Sequence, residues 1–175
     1  MNNRSFLAAF LLTTLAASAP AQDKFRVYLG TYSKGDSKGI YQCELNLADG
    51  SLTPPTVEAS DPSFLAFHPN KPFLYAVNED KASISSFAID TKTGTLTFLN
   101  SQPSQGGAPC HLVVDPTGKN VLAANYSGGS CISLPIGSDG KLGAATSFQQ
   151  HQGKRIHGHA IHVDPNNKFA LCCDL

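Results

Sequence analysis

Histidine is the side chain best suited to proton transfer near neutral pH, because imidazole has a reference pKa of about 6.5. Three of the six histidines, His157, His159 and His162, crowd one short stretch, and His111 occupies the matching region one repeat earlier. These four are candidate proton acceptors. For His111 a purely structural role, a hydrogen bond between neighbouring repeats, stays open beside the chemical one. His68 and His151 fall in turn or linker sequence and read as structural or solvated. A metal site is a further option: His157 and His159, two residues apart, would point to one side of a strand, with Asp174 as the available third ligand.

Other chemistries have little support. No Gly-x-Ser-x-Gly elbow and no phosphate or dinucleotide loop occurs, which leaves nucleophilic catalysis, ATP, NAD and flavin without a signature. The expectation is that no cofactor is used. The five cysteines, Cys43, Cys110, Cys131, Cys172 and Cys173, lack C-x-x-C spacing, which argues against a zinc site or a thioredoxin-type motif. The adjacent Cys172 and Cys173 read as two strand residues facing opposite sides. Lys and Arg number 13 against 13 Asp and Glu, with no basic block, so neither nucleic acid nor anionic lipid is an expected partner.

The elements that must hold these histidines show themselves as repeats. The segment from Pro62 to Asn78 matches that from Pro109 to Asn125 without a gap. Pro69, Pro116 and Pro165 lie 47 and 49 residues apart, and nine residues after each comes Asn78, Asn125 or Asp174. A second marker, Gly-x-Leu, recurs at Gly50, Gly94 and Gly140. Each unit reads as four short strands separated by turn residues, and four strands at this period predict an all-β fold, a β-propeller of four-stranded blades. A β-sandwich would not require the same turns at fixed offsets. Residues 25–61 supply most of one blade, 62–107 and 108–155 two more, and 156–175 the first half of another. Three and a half blades do not close a ring, so the expectation is the N-terminal portion of a longer, monomeric propeller.

In such a blade the start of the innermost strand lies beside the end of the second, because the two form an antiparallel hairpin. That geometry gathers Ser63 with Asn78 and Glu79, Cys110 and His111 with Asn125 and Tyr126, and His157 to His159 with Asp174 and Leu175. All should sit around one mouth of the central channel.

Residues 1–21 have the order of a secretory signal: the positive charge of Arg4, an apolar stretch from Phe6 to Ala17, and a small-residue end at Ala19-Pro20-Ala21. Cleavage after Ala21 would leave an incomplete propeller domain at 22–175, secreted or periplasmic. No later segment is apolar enough to span a bilayer as a helix, so no membrane association is expected after cleavage.

These motifs resemble the lactonase family of seven-bladed propellers, whose best-known activity is 6-phosphogluconolactonase. The matching stretches are Tyr28-Leu29-Gly30-Thr31-Tyr32, Tyr75 to Glu79, Pro109 to Leu112, Ala124 to Ser130, and His157-Gly158-His159 followed by Asp164-Pro165 and Asp174-Leu175. The resemblance implies hydrolysis of a sugar lactone to the aldonate in carbohydrate and glucose metabolism. His159, helped or replaced by His157, would be the catalytic base. His111, Asn125, Tyr126, Glu79 and Asp174 would line the substrate, and Arg155 or Lys154 would meet a phosphate. Two departures stand out. Ile156 replaces the family's usual Pro before His157, and Ser63 takes the place of an Arg that a later blade of the family carries. Two other functions remain open: a propeller that binds without turnover, and a lyase of the muconate-lactonising type. An exported protein also fits an unphosphorylated sugar lactone better than a phosphorylated one.

Overall fold

The structure is a computed structural model, and it describes residues 23–33, 35–59 and 62–175. The signal segment lies outside these residues. No helix among them is long and apolar enough to cross a membrane.

The strands fall into successive antiparallel sheets that follow chain order. Blade 1 contains β1 (Lys24–Leu29), β2 (Ile40–Asn46) and β3 (Thr56–Ala59). Blade 2 contains β4 (Phe64–Phe67), β5 (Phe73–Asn78), β6 (Ser83–Ile89) and β7 (Leu96–Pro103). Blade 3 contains β8 (Gly107–Val114), β9 (Asn120–Ser127), β10 (Ser130–Pro135) and β11 (Ser147–Gln150). A final hairpin pairs β12 (Gly158–Val163) with β13 (Ala170–Asp174). The expected division into blades is therefore the observed one.

What makes blades rather than a single sheet is burial on both faces of the second strand. In β5, Leu74 and Ala76 join Ile40, Phe87 and Leu96 in a core shared with blade 1. Their neighbours Tyr75 and Val77 face the other way, into a core with Leu112, Val121, Ala123 and Leu134 of blade 3. Alternating side chains of one strand thus serve two interfaces. Fully burying one such Leu or Val contributes about 1.5–3 kcal/mol.

Polar ties repeat with the blades. Tyr28 donates its hydroxyl to the Gly94 carbonyl in the next blade, at 2.5 Å, and Tyr75 does the same to Gly140, at 3.2 Å. Gly94 and Gly140 each have a φ of 82°, the left-handed backbone that explains the recurring Gly-x-Leu turn. The turns between first and second strands are held by Asp115 and Asp164, whose carboxylates accept several backbone N–H bonds. His68 stands at the equivalent place in blade 2. It is buried, accepts from the Asn70 N–H and reaches the Gly118 carbonyl of blade 3, so it is structural, as expected.

Candidate functional site

The first strands of successive blades lie side by side. Cys110 of β8 touches the carbonyls of Gly158 and His159 at 3.5 Å, and the ring of His111 lies between those of Phe64 (4.4 Å) and His162 (5.2 Å). The starts of these strands meet the ends of their partners as anticipated. The N–H of Ser63 bonds the Val77 carbonyl, Pro109 pairs with Asn125, and Gly158 pairs with Asp174.

β8 and β12 each carry one extra residue, between Pro109 and His111 and between Gly158 and Ala160. The two bulges coincide, so His159 stands at the position of Cys110 and Ala160 at that of His111, as the 49-residue spacing of Pro116 and Pro165 requires. The bulge also breaks the simple alternation from which His157 and His159 were expected to share a strand side. What brings them together is Tyr126. His157 stacks on its ring (4.3 Å, 12°), and His159 meets that ring edge-on (6.0 Å, 71°).

Hydrogen bonds fix the state of two of the rings. His157 Nδ1 lies 3.1 Å from the Tyr126 carbonyl oxygen. A carbonyl only accepts, so Nδ1 carries the proton and Nε2 is the basic nitrogen of neutral His157. At His111 the order is reversed: Nδ1 accepts the Ile161 N–H at 3.3 Å, which leaves neutral His111 with its proton on Nε2. Burial, followed by the charges of His162 and His159, holds the His111 pKa below the ordinary histidine value. The interblade role anticipated for His111 is therefore real, and it leaves an N–H donor. One acceptor imidazole and one donor imidazole result.

The remaining candidates have different surroundings. Asn125 is wholly buried, with Nδ2 donating to the Ser104 carbonyl and Ser130 Oγ, so it is not placed to touch a ligand as the resemblance implied. Its amide nitrogen ties a tight interblade seam instead. Asp174 likewise turns to the protein: Oδ1 accepts the His157 backbone N–H at 2.5 Å, and Oδ2 lies 3.8 Å from His151 Nδ1. It positions His157 and does not join His157 and His159 in a ligand set. Glu79 accepts hydroxyl bonds from Tyr32 (2.8 Å) and Ser63 (2.5 Å). Its charge raises the Tyr32 phenol pKa, chiefly through that hydrogen bond. Arg155 and Lys154 are exposed on the connection before β12, where Arg155 has a φ of 58°.

Tyr32 and Cys110 were not singled out by sequence as site residues. Tyr32 enters through its contact with a Glu 47 residues away, which no local motif announces. Cys110 stands among the mouth residues that strand pairing predicts, and the structure adds its contacts with the β12 carbonyls. Burial, then the Glu79 charge, pushes its thiol pKa up, so it remains a proton donor to the adjacent carbonyls. A groove of about 380 Å³ lies elsewhere, between blades 1 and 2 beside Glu58, Phe87 and Phe98, and contains none of the histidines.

A second cluster stands behind His157. Cys131 on β10, His151 after β11 and Cys172 on β13 place their ligand atoms within 4.8 Å of one another. All five cysteines are free thiols. The hydrogen bond with Cys172, with help from His151, pulls the Cys131 thiol down to about 6. Cys173 is exposed, so the adjacent pair does face opposite ways.

The family profile described as "Lactonase, 7-bladed beta-propeller" matches residues 26–175. The chain belongs to this lactonase family. It is 34% identical over 163 residues to the 6-phosphogluconolactonase of Bacillus subtilis (strain 168), covering 87% of this chain and 47% of that protein. Among solved structures, the periplasmic gluconolactonase PpgL of Pseudomonas aeruginosa superposes with a TM-score of 0.80 at 27% identity, over 87% of this chain and 47% of that one. A Bacteroides fragilis NCTC 9343 protein, provisionally named a 6-phosphogluconolactonase, has a TM-score of 0.80 at 37% identity, over 90% and 47%. The chain thus spans about half the length of the curated relatives it matches.

Proposed function

We propose that the protein hydrolyses a sugar lactone to the aldonate, as an enzyme of 6-phosphogluconolactonase type in carbohydrate metabolism. The observation that carries this reading is the bond from His157 Nδ1 to the Tyr126 carbonyl, which leaves Nε2 basic in a ring already fixed by stacking. A lactone needs little more than a positioned water and a donor for the developing oxyanion. His157 takes the water proton as the oxygen attacks the carbonyl carbon. His111 Nε2–H stabilises the oxyanion, and the ring C–O bond then breaks while His157 returns the proton to the leaving alkoxide. His159, on the other side of Tyr126, hydrogen-bonds a substrate hydroxyl or shares the base role. Glu79, with Tyr32, binds hydroxyls from the blade 1 side.

The charges around the mouth favour an unphosphorylated lactone. The side chains that meet at the mouth are neutral or acidic, and the nearby cations Lys154 and Arg155 are exposed on a connection. Together with the signal-like residues 1–21 and the periplasmic gluconolactonase among the relatives, this supports an exported enzyme acting on an unphosphorylated lactone. The test is hydrolysis of glucono-δ-lactone and its 6-phosphate by the purified protein. Turnover of either supports lactonase function, and the larger kcat/KM assigns the substrate. Binding of both without turnover would make the propeller a binding module, and activity only on an unsaturated diacid would make it a lyase.

A further inference from the structure

We propose that Cys131, His151 and Cys172 form a zinc site that ties blade 3 to the β12–β13 hairpin and holds Asp174 in place behind His157. The three residues come from three separate segments, yet their ligand atoms lie within 4.8 Å of one another. Two sulfurs and one imidazole are the mixed soft and borderline donor set that suits tetrahedral Zn²⁺, with Zn–S near 2.3 Å and Zn–N near 2.0 Å. Small side-chain rotations close that geometry, because Cys131 on β10 and Cys172 on β13 each sit in a strand whose backbone its own sheet holds.

The surroundings match a metal centre in a further respect. A ligating histidine commonly meets a carboxylate through its other ring nitrogen, which fixes its orientation. Here Asp174 Oδ2 lies 3.8 Å from His151 Nδ1, while Oδ1 accepts the His157 backbone N–H. The site therefore acts on the mouth through one carboxylate. On binding, the two thiols lose their protons to solvent and the metal takes up both thiolates. The site stands whether or not the mouth hydrolyses a lactone.

The experiment titrates the reduced, purified protein with Zn²⁺ against a chromophoric chelator, and with Co²⁺ as a spectroscopic probe. One equivalent should bind, and the Co²⁺ form should show thiolate charge-transfer absorption. Cys131→Ser and Cys172→Ser should each abolish that absorption, and Asp174→Asn should weaken Zn²⁺ binding about 10–100-fold. A measurement on the unaltered protein keeps the test decisive if the variants fail to fold. Zn²⁺ should block alkylation of Cys131 and Cys172, read by peptide mass spectrometry, and leave exposed Cys173 reactive. Absence of a bound equivalent, equal labelling of Cys131 and Cys172 with and without Zn²⁺, or retention of the metal by the double cysteine variant would overturn the site.

Discussion

His157 lies almost flat on Tyr126, 4.3 Å between ring centroids and 12° from parallel, while its Nδ1 reaches the carbonyl of that same tyrosine. One residue of blade 3 thus sets both the plane and the protonated nitrogen of a histidine in the following hairpin. Preorganisation of this kind has measurable consequences.

Replacing His157 by Ala should lower lactone turnover about 10²–10⁴-fold, the range for loss of a general base. Tyr126→Ala should lower it by about 2–10-fold, in line with ~0.5–1.5 kcal/mol for aromatic stacking, and Tyr126→Phe should preserve it. Steady-state kinetics with circular dichroism as a folding control make the comparison. An unchanged kcat in His157→Ala transfers the base role to His159.

The depressed pKa of His111 makes stability depend on pH with a definite sign. The folded state holds the ring neutral, so below about 6.5 the unfolded chain binds more protons than the native one. The contribution is present above that pH and is lost as pH falls toward the lower folded value. His111→Phe, which copies Phe64 at the same register, should flatten the change in melting temperature between pH 7.5 and 5. An identical pH profile in the variant would show that other groups set it.

Gly158 is required by a close approach. A Cβ there would lie 2.9 Å from the carbonyl oxygens of both Asn125 and Ser130. Gly158→Ala should cost about 1–3 kcal/mol by overpacking backbone that cannot yield. Urea denaturation measures the loss, and a midpoint within error of the original would mean that the blades move apart freely.

Tyr75→Phe should cost about 1 kcal/mol by removing the hydroxyl bond to Gly140. Lactone turnover should be unaltered, because the bond joins blades 2 and 3 through a β-turn that none of the mouth residues belongs to. A loss of turnover exceeding the loss of folded protein would mean that this tie shapes the mouth.

The blades were legible in sequence because their turns need particular residues. Glycine at 94 and 140 supplies left-handed backbone, and Asp at 115 and 164 supplies acceptors for exposed N–H groups. The meeting of strand starts and strand ends followed from antiparallel pairing alone. The site was less legible. Sequence spacing placed His157 and His159 on one strand side, but a bulge is a backbone event with no residue type of its own. Asn125 looked like a mouth residue because its neighbours are, although it is wholly buried and its amide nitrogen is spent on Ser104 and Ser130. The absence of C-x-x-C argued against zinc, yet Cys131 and Cys172 approach each other only when two blades pack. Local spacing carries no information about such a meeting.

The two-faced burial of β5 assigns adjacent letters of the sequence to different mechanical seams. Leu74 and Ala76 report on the junction with blade 1, and Tyr75 and Val77 on the junction with blade 3. Truncating Leu74 should therefore loosen amide protection upstream, and truncating Val77 downstream, so that residues three apart open opposite sides of the same strand.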